Sequence, residues 1–397
     1  MRPRPADHRL VTAPRPIRVR APRRASVDVL VVGAGFAGAV LAERLASQSN
    51  LRVLVCDRRE HIAGNAHDAV NADGVLCHSY GPHIFHTNSE RVVEYLSSFT
   101  DWRPYEHRVL ACVAGRFVPV PINRDTLNAV HGAGLETEAE AEAYLARLAQ
   151  PVDRVRTSED AVVSTVGREL YELFFRGYTR KQWGVDPAEL DASVCARIPV
   201  RSNRDDRYFN DTFQSMPAAG YTALFEALLD HPRIEVRLGT TADELRDRVA
   251  HRLLVWTGPI DEFFGHRFGP LPYRSLRFEP VTHASARPLQ PVAQINYPDD
   301  RVPFTRVTEM RHLTGQAHDR TTLVYEYPTD EGPPYYPVPR PASRALFKRY
   351  HALAASAPRV VFAGRLARYQ YLNMDQVVAQ ALATYDRLVA DVRPAAA

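Results

Sequence analysis

The hydrophobic pattern of the chain changes register several times. Val27–Val32 is a short apolar, β-branched run of the kind a buried parallel strand shows. Gly33-Ala34-Gly35-Phe36-Ala37-Gly38 follows, then a helical pattern through Ala39–Ser47 and a second strand-like run, Arg52–Cys56, ending in Asp57. This order predicts strand, tight turn, helix, strand, with an acid 19 residues after the last glycine. Residues 128–195 read as helical. Leu170, Leu173, Phe174 and Tyr178 keep helical spacing, Thr137–Leu148 is rich in Ala and Glu, and Ser158-Glu159-Asp160 predicts a cap. Residues 270–340 alternate short β-like runs with prolines (Val292–Tyr297, Thr305–Thr308, Thr321–Tyr327), which predicts an antiparallel sheet. Val360–Arg365 reads as another buried strand ending in glycine, and Asp375–Val389 as a final helix.

These patterns predict an α/β fold. It has a Rossmann-like dinucleotide-binding domain, an inserted helical domain and an antiparallel β-sheet domain. The expected boundaries are a disordered basic tail over 1–26 and a discontinuous nucleotide domain over 27–90, 214–265 and 355–392. A helical domain would take 128–200. A sheet domain would take 91–127, 201–213 and 266–354. A length of 397 residues with 45% apolar and 24% charged positions fits two or three packed domains. No apolar stretch approaches the roughly 18–20 residues of a membrane span, and no signal-like apolar region opens the chain. The four cysteines carry no C-x-x-C, which argues against a zinc site and suits a reducing cytoplasm. The charge of +4 is uneven: residues 1–26 hold eight Arg against Asp7, so the remainder is net acidic. Five prolines in that tail argue against regular helix and for a solvated extension, rather than for a nucleic-acid or lipid contact. Of the 50 basic residues only two, Lys181 and Lys348, are lysine, so arginine abundance alone identifies nothing.

The Gly33–Gly38 turn carries candidate chemistry. Gly33 and Gly35 allow the tight turn and a close approach to a pyrophosphate. Gly38 lets helix and strand pack, the helix start favours phosphate charge, and Asp57 can accept from ribose hydroxyls. Within Arg58–Asn65, Arg58-Arg59-Glu60-His61-Ile62-Ala63-Gly64 matches the Arg-x-x-x-x-Gly-Gly run of flavoproteins except at Ala63, tilting the cofactor towards FAD. His78, His83 and His86 lie within nine residues, but without interleaved Cys or acid they read as a flavin-facing loop rather than a metal site. Tyr178, Trp183, Arg197, Tyr208, Asn296, Arg306, Tyr336, Arg365 and Tyr371 are of types that stack on bases or pair with phosphate. No Gly-x-Ser-x-Gly elbow, Walker A loop or H-E-x-x-H is present.

Over residues 27–390 the chain resembles the bacterial UDP-galactopyranose mutase family. The matching strings include Tyr80-Gly81-x-His83-Ile84-Phe85-His86-Thr87-Asn88, Gly177-Tyr178-Thr179-x-Lys181-Gln182-Trp183, Arg197-Ile198-Pro199-Val200-Arg201, Pro303-x-Thr305-Arg306, Pro334-Tyr335-Tyr336-Pro337 and Gly364-Arg365-Leu366. The resemblance implies an FAD-binding Rossmann-like domain with an inserted helical domain that carries a mobile substrate loop and a twisted antiparallel β-sheet domain. It also implies a flavin-dependent isomerase that interconverts UDP-galactopyranose and UDP-galactofuranose through attack of N5 of reduced FAD on the anomeric carbon. It implies a UDP-sugar substrate, a reductant such as NAD(P)H, a cytoplasmic homodimer, and neither nucleic acid nor membrane as partner. Arg197, Arg306 and His83 would be catalytic. Phe174, Tyr178, Trp183, Tyr208, Asn296, Tyr336, Tyr371 and Asn88 would bind substrate. Gly33, Gly35, Phe36, Gly38, Asp57, Arg58, Gly64, Asn65, Tyr80, His83, Ile84, Gly364, Arg365 and Met374 would bind the cofactor, with no metal. Ala63, Pro82, Asn373 and Ser202-Asn203-Arg204 depart from the family pattern, which bears on the sugar. The alternatives are a mutase for another nucleotide hexose, an FAD oxidoreductase of the amine-oxidase type, and a silent nucleotide-sugar binder.

Overall fold

A computed structural model describes residues 26–392, so the expected tail, apart from Ser26, lies outside the described residues. Five parallel strands form the central sheet in the order Ile234–Arg237, Val53–Cys56, Val29–Val32, Leu253–Trp256, Val360–Phe362. Side chains alternate across each strand. Val29, Val31, Val53 and Val55 therefore pack against helices Phe36–Ser47, Tyr221–Leu229 and Met374–Val392. Leu30, Leu54 and Leu254 pack on the opposite face against Leu245 and Val249. Cover on both faces explains why these strands are nearly continuous apolar runs.

A seven-stranded sheet runs Tyr336–Pro337, Tyr273–Ala284, Arg320–Thr329, Arg306–Glu309, Gln294–Asn296, Val109–Val113, Arg116–Val120. It is antiparallel except where Gln294–Asn296 lies parallel to Val109–Val113. Those two strands are joined by a long excursion through other parts of the chain, and only such a connection permits a parallel pair. The twelve-residue strand Tyr273–Ala284 went unread in the sequence. Its outer half is mostly exposed and contains Pro280, so it carries no apolar period; Pro280 is tolerated because beyond Arg274 this strand pairs on one side only.

The helical layer comprises Arg124–His131, Glu138–Leu148, Ser158–Leu170 and Gly177–Trp183, with the π-helical turn Tyr171–Arg176 between the last two. The expected cap at Ser158 is formed one residue earlier. The Thr157 hydroxyl accepts from the Asp160 N–H, and the Asp160 carboxylate accepts from the Thr157 N–H at 2.9 Å. Among the described residues no helix is long and apolar enough to cross a membrane.

Candidate active site

A cleft of about 670 Å³ opens at the C-terminal ends of the parallel strands. Its floor is backbone. Gly33 has φ +105°, and a Cβ there would lie 2.0 Å from Thr257 Oγ1. Gly35 is the N-cap of Phe36–Ser47; no side chain caps that end and no acid occupies the first turn, so its N–H groups are open to an anion. Gly38 lies behind the wall, where a Cβ would come 1.9 Å from the Gly33 carbonyl. Asp57 Oδ2 accepts from the Ala34 N–H and Oδ1 from the Arg59 N–H, each at 2.9 Å. Each oxygen keeps a further lone pair for a ribose hydroxyl.

Phe36, Arg58, Gly64, Asn65, His83, Gly364, Arg365 and Met374 also line this cleft. Asn65 is oriented by Arg59, whose guanidinium donates to its side-chain carbonyl at 2.9 Å. Ala63 has φ +71°, a left-handed conformation that glycine adopts without steric cost, which explains the glycine expected there. Besides Gly38, two further expected cofactor residues are not in the wall. Tyr80 sits under the Arg59 guanidinium, 4.2 Å from it, and shares a 2.6 Å hydrogen bond with His61. Ile84 is buried in the main core. His83 donates from Nδ1 to the Gly81 carbonyl at 2.9 Å, which leaves Nε2 as the unprotonated nitrogen. Burial, then the neighbouring His78, pulls its pKa down to about 3, so the ring is neutral at physiological pH.

The second cavity is built from side chains. Phe174, Tyr178 and Trp183 reach it from the helical layer; Arg197 and Tyr208 from the segment between that layer and strand Phe213–Pro217. Asn296 and Arg306 face each other across two paired strands, Tyr336 comes from an edge strand, and Tyr371 precedes the last helix. The Arg197 guanidinium lies 4.4 Å from the Tyr371 ring. Arg306 donates to Glu326 at 2.8 Å. Burial opposes the charge on Arg306, but Glu326 holds its pKa well above the ordinary range. Burial raises the phenols of Tyr178 and Tyr208 and pushes Tyr336 up to about 12. Tyr371 differs: burial would raise it, but the guanidiniums of Arg197, Arg365 and Arg306 bring it below 10.0. Arg365 joins the two spaces, lining the cleft while lying 5.6 and 5.3 Å from the rings of Tyr336 and Tyr371.

Asn88 is not brought to either cavity. Its amide donates to Asp211 at 2.8 Å and its carbonyl accepts from the Thr212 N–H, so both functions are occupied in a surface clasp. His86 serves the same clasp, 2.7 Å from Asp211 and stacked on Phe209 at 3.6 Å. His86 therefore turns away from His78 and His83, whose rings lie 6.4 Å apart, and no three metal-ligating side chains cluster among the described residues. Glu326 was missed in the sequence. Its signal is periodic: Thr322, Val324 and Glu326 occupy one buried face of strand Arg320–Thr329, and an acid on such a face needs a buried cation.

Comparison with known proteins matches this arrangement. The family profile for UDP-galactopyranose mutase matches residues 173–371, and that for an NAD(P)-binding Rossmann-like domain matches 31–99. A protein of Klebsiella pneumoniae named probable UDP-galactopyranose mutase is 40% identical, over 92% of this chain and 95% of its own. A dTDP-fucopyranose mutase of Escherichia coli is 36% identical, over 89% of this chain and 96% of its own. A crystal structure of reduced UDP-galactopyranose mutase superposes with a TM-score of 0.76 at 17% identity, covering 93% of this chain and 97% of that one.

Proposed function

The chain belongs to the UDP-galactopyranose mutase family, and from that premise we propose that it interconverts the pyranose and furanose forms of UDP-galactose. FAD is its cofactor, and the cleft suits it: a tight backbone turn at Gly33 with no room for a Cβ beside Thr257, an open helix start for the pyrophosphate and a carboxylate for the ribose. Bound and reduced, the flavin would supply at N5 the electron pair that the anomeric carbon accepts. The reading includes a cytoplasmic homodimer and a reductant such as NAD(P)H.

The chain's own residues do the rest. Phe174 and Tyr178 offer faces for the base, with Asn296 beside them to hydrogen-bond its edge. Arg197 and Arg306 would grip the diphosphate and stabilise the charge that grows on it as the glycosidic bond breaks. Glu326 keeps Arg306 charged and aimed. Tyr336 and Tyr371 would donate to the same oxygens, and Trp183, 6.0 and 5.8 Å from their rings, shields the sugar from water. His83, neutral beside the flavin, offers Nε2 as an acceptor and adds no competing positive charge.

The observation carrying this reading is the convergence of Arg197, Arg306, Tyr336 and Tyr371 on one cavity that Arg365 connects to the cofactor cleft. The dTDP-fucopyranose mutase relative favours a second substrate, differing in the base, the nucleoside 2′-hydroxyl and the hexose C6. Incubating dithionite-reduced protein separately with UDP-galactofuranose and dTDP-fucofuranose, and resolving the products by chromatography, decides between them. Faster conversion of the UDP sugar is expected; conversion of neither overturns the reading.

A further inference from the structure

Lys181 lies in the string that identifies the cavity helix, yet the mechanism gives it no task. Its ammonium reaches out of helix Gly177–Trp183 into the turn joining strands Gln294–Asn296 and Arg306–Glu309. There it donates to four backbone carbonyls: Tyr297 at 2.5 Å, Asp299 at 2.9 Å, and Val302 and Phe304 each at 3.0 Å. An ammonium has three hydrogens, so four acceptors are held by its charge as much as by hydrogen-bond count. The loop carboxylates are engaged elsewhere, Asp299 with Arg301 at 2.6 Å and Asp300 with Arg180 at 3.6 Å. The cage thus offers a monovalent cation carbonyl oxygens alone. In a chain whose basic residues are otherwise arginine except Lys348, the compact charge here has a geometric reason. A planar guanidinium fork cannot converge on four carbonyls around one point.

The two elements are fitted to each other at further points. A Cβ on Gly177 would lie 2.3 Å from the Pro298 carbonyl, so the helix approaches the turn more closely than any other residue permits. From the other side Arg274 donates to the Lys181 and Gln182 carbonyls, each at 3.1 Å, and fixes the helix end. The helix brings Tyr178 and Trp183 to the cavity; the two strands flanking the turn bring Asn296 and Arg306.

We propose that Lys181 is a positioning residue that locks the base-stacking helix to the strands carrying Asn296 and Arg306, by acting as a tethered monovalent cation in a carbonyl cage. The proposal rests on the cavity being the nucleotide-diphosphate site. Its consequence is specific: a truncated side chain leaves a cage that a small free ammonium ion can fill.

The test measures UDP affinity by calorimetry on FAD-loaded wild type, Lys181→Ala and Lys181→Arg, without added salt and with ethylammonium or tetramethylammonium chloride at equal ionic strength. Both variants should keep FAD and weaken UDP binding roughly 10- to 100-fold, the size expected for lost charge-assisted hydrogen bonds. Ethylammonium should restore several-fold of the loss in Lys181→Ala, and tetramethylammonium, which has no N–H, should not. Wild-type affinity in either variant overturns the proposal, as does equal recovery with both salts or recovery with neither. If Lys181→Ala does not fold, Lys181→Arg decides alone. Failure of the wild type to bind UDP would instead overturn the reading of the cavity.

Discussion

The cleft at the Gly33–Gly38 turn and the cavity around Arg306 lie side by side but are made of different material. The floor of the cleft is the backbone of one continuous strand–turn–helix–strand unit, and its rim is completed by residues 240–265, 334–335, 364–366 and 374–377. The cavity takes its named groups from side chains of the helical layer, the segment around Arg197 and Tyr208, the seven-stranded sheet and Tyr371, ahead of the last helix. Backbone recognition is intolerant of an added atom and needs no charged side chain. Side-chain recognition tolerates small changes of shape and depends on charge. The two regions should therefore fail differently.

The largest effect belongs to the cleft. Gly38→Ala puts a Cβ 1.9 Å from the Gly33 carbonyl, and backbone cannot yield as a side-chain tip can. The variant should lose more than about 4 kcal/mol of stability and retain no flavin, read as the 450 nm absorbance per protein. A yellow, stable Gly38→Ala protein would show that the turn is looser than its geometry.

The cavity should lose function without losing the cofactor. Arg197→Ala and Arg306→Ala each remove a charged partner of the departing diphosphate, about 2–4 kcal/mol in the transition state, or roughly 30- to 1000-fold in rate. FAD content should stay at the wild-type level. Loss of flavin in either variant would erase the distinction between the two regions.

Their legibility in the sequence differs for the same reason. The floor of the cleft is local, so the spacing from Gly33 to Asp57 announces it, and Ala63 with its positive φ shows why a glycine was expected there. The cavity residues are separated by up to 197 positions, from Phe174 to Tyr371, and no periodicity links an arginine at 197 to one at 306. A family resemblance named them; pattern alone did not. Glu326 stayed hidden because its partner is set by strand register, Arg306 opposite Glu326, which exists only after folding. Asn88 belonged to a string that looked like one loop facing the flavin, but its partners Asp211 and Thr212 come from far along the chain. Lys181 was quoted within its motif, yet its carbonyl partners come from a turn more than 115 residues away.

A smaller effect follows from pH. Tyr371 is held below 10.0 by three arginines, burial opposing them. Below its pKa the phenol donates to a diphosphate; above it the phenolate repels one and has no proton to give. kcat/KM for the UDP sugar should therefore fall as pH rises through a value below 10.0, and Tyr371→Phe should abolish that limb. An unchanged alkaline limb in Tyr371→Phe would assign it to another group. The smallest effect returns to the cleft. Ala63→Gly relieves a left-handed alanine and should raise stability by up to about 1 kcal/mol, measured by thermal unfolding of the flavin-loaded protein. A clear loss would mean that the Ala63 methyl packing outweighs the backbone strain.

The central claim is that the two regions act on one substrate, the cavity holding the diphosphate while the cleft presents the reduced flavin to the same sugar. The redox dependence of turnover tests this most directly. Anaerobic protein is given UDP-galactofuranose with and without dithionite, and UDP-galactopyranose is followed by chromatography. Conversion with reduced protein and almost none with oxidised protein is the predicted result. Equal rates in the two states would show that the cavity works without the cleft, and would contradict the account.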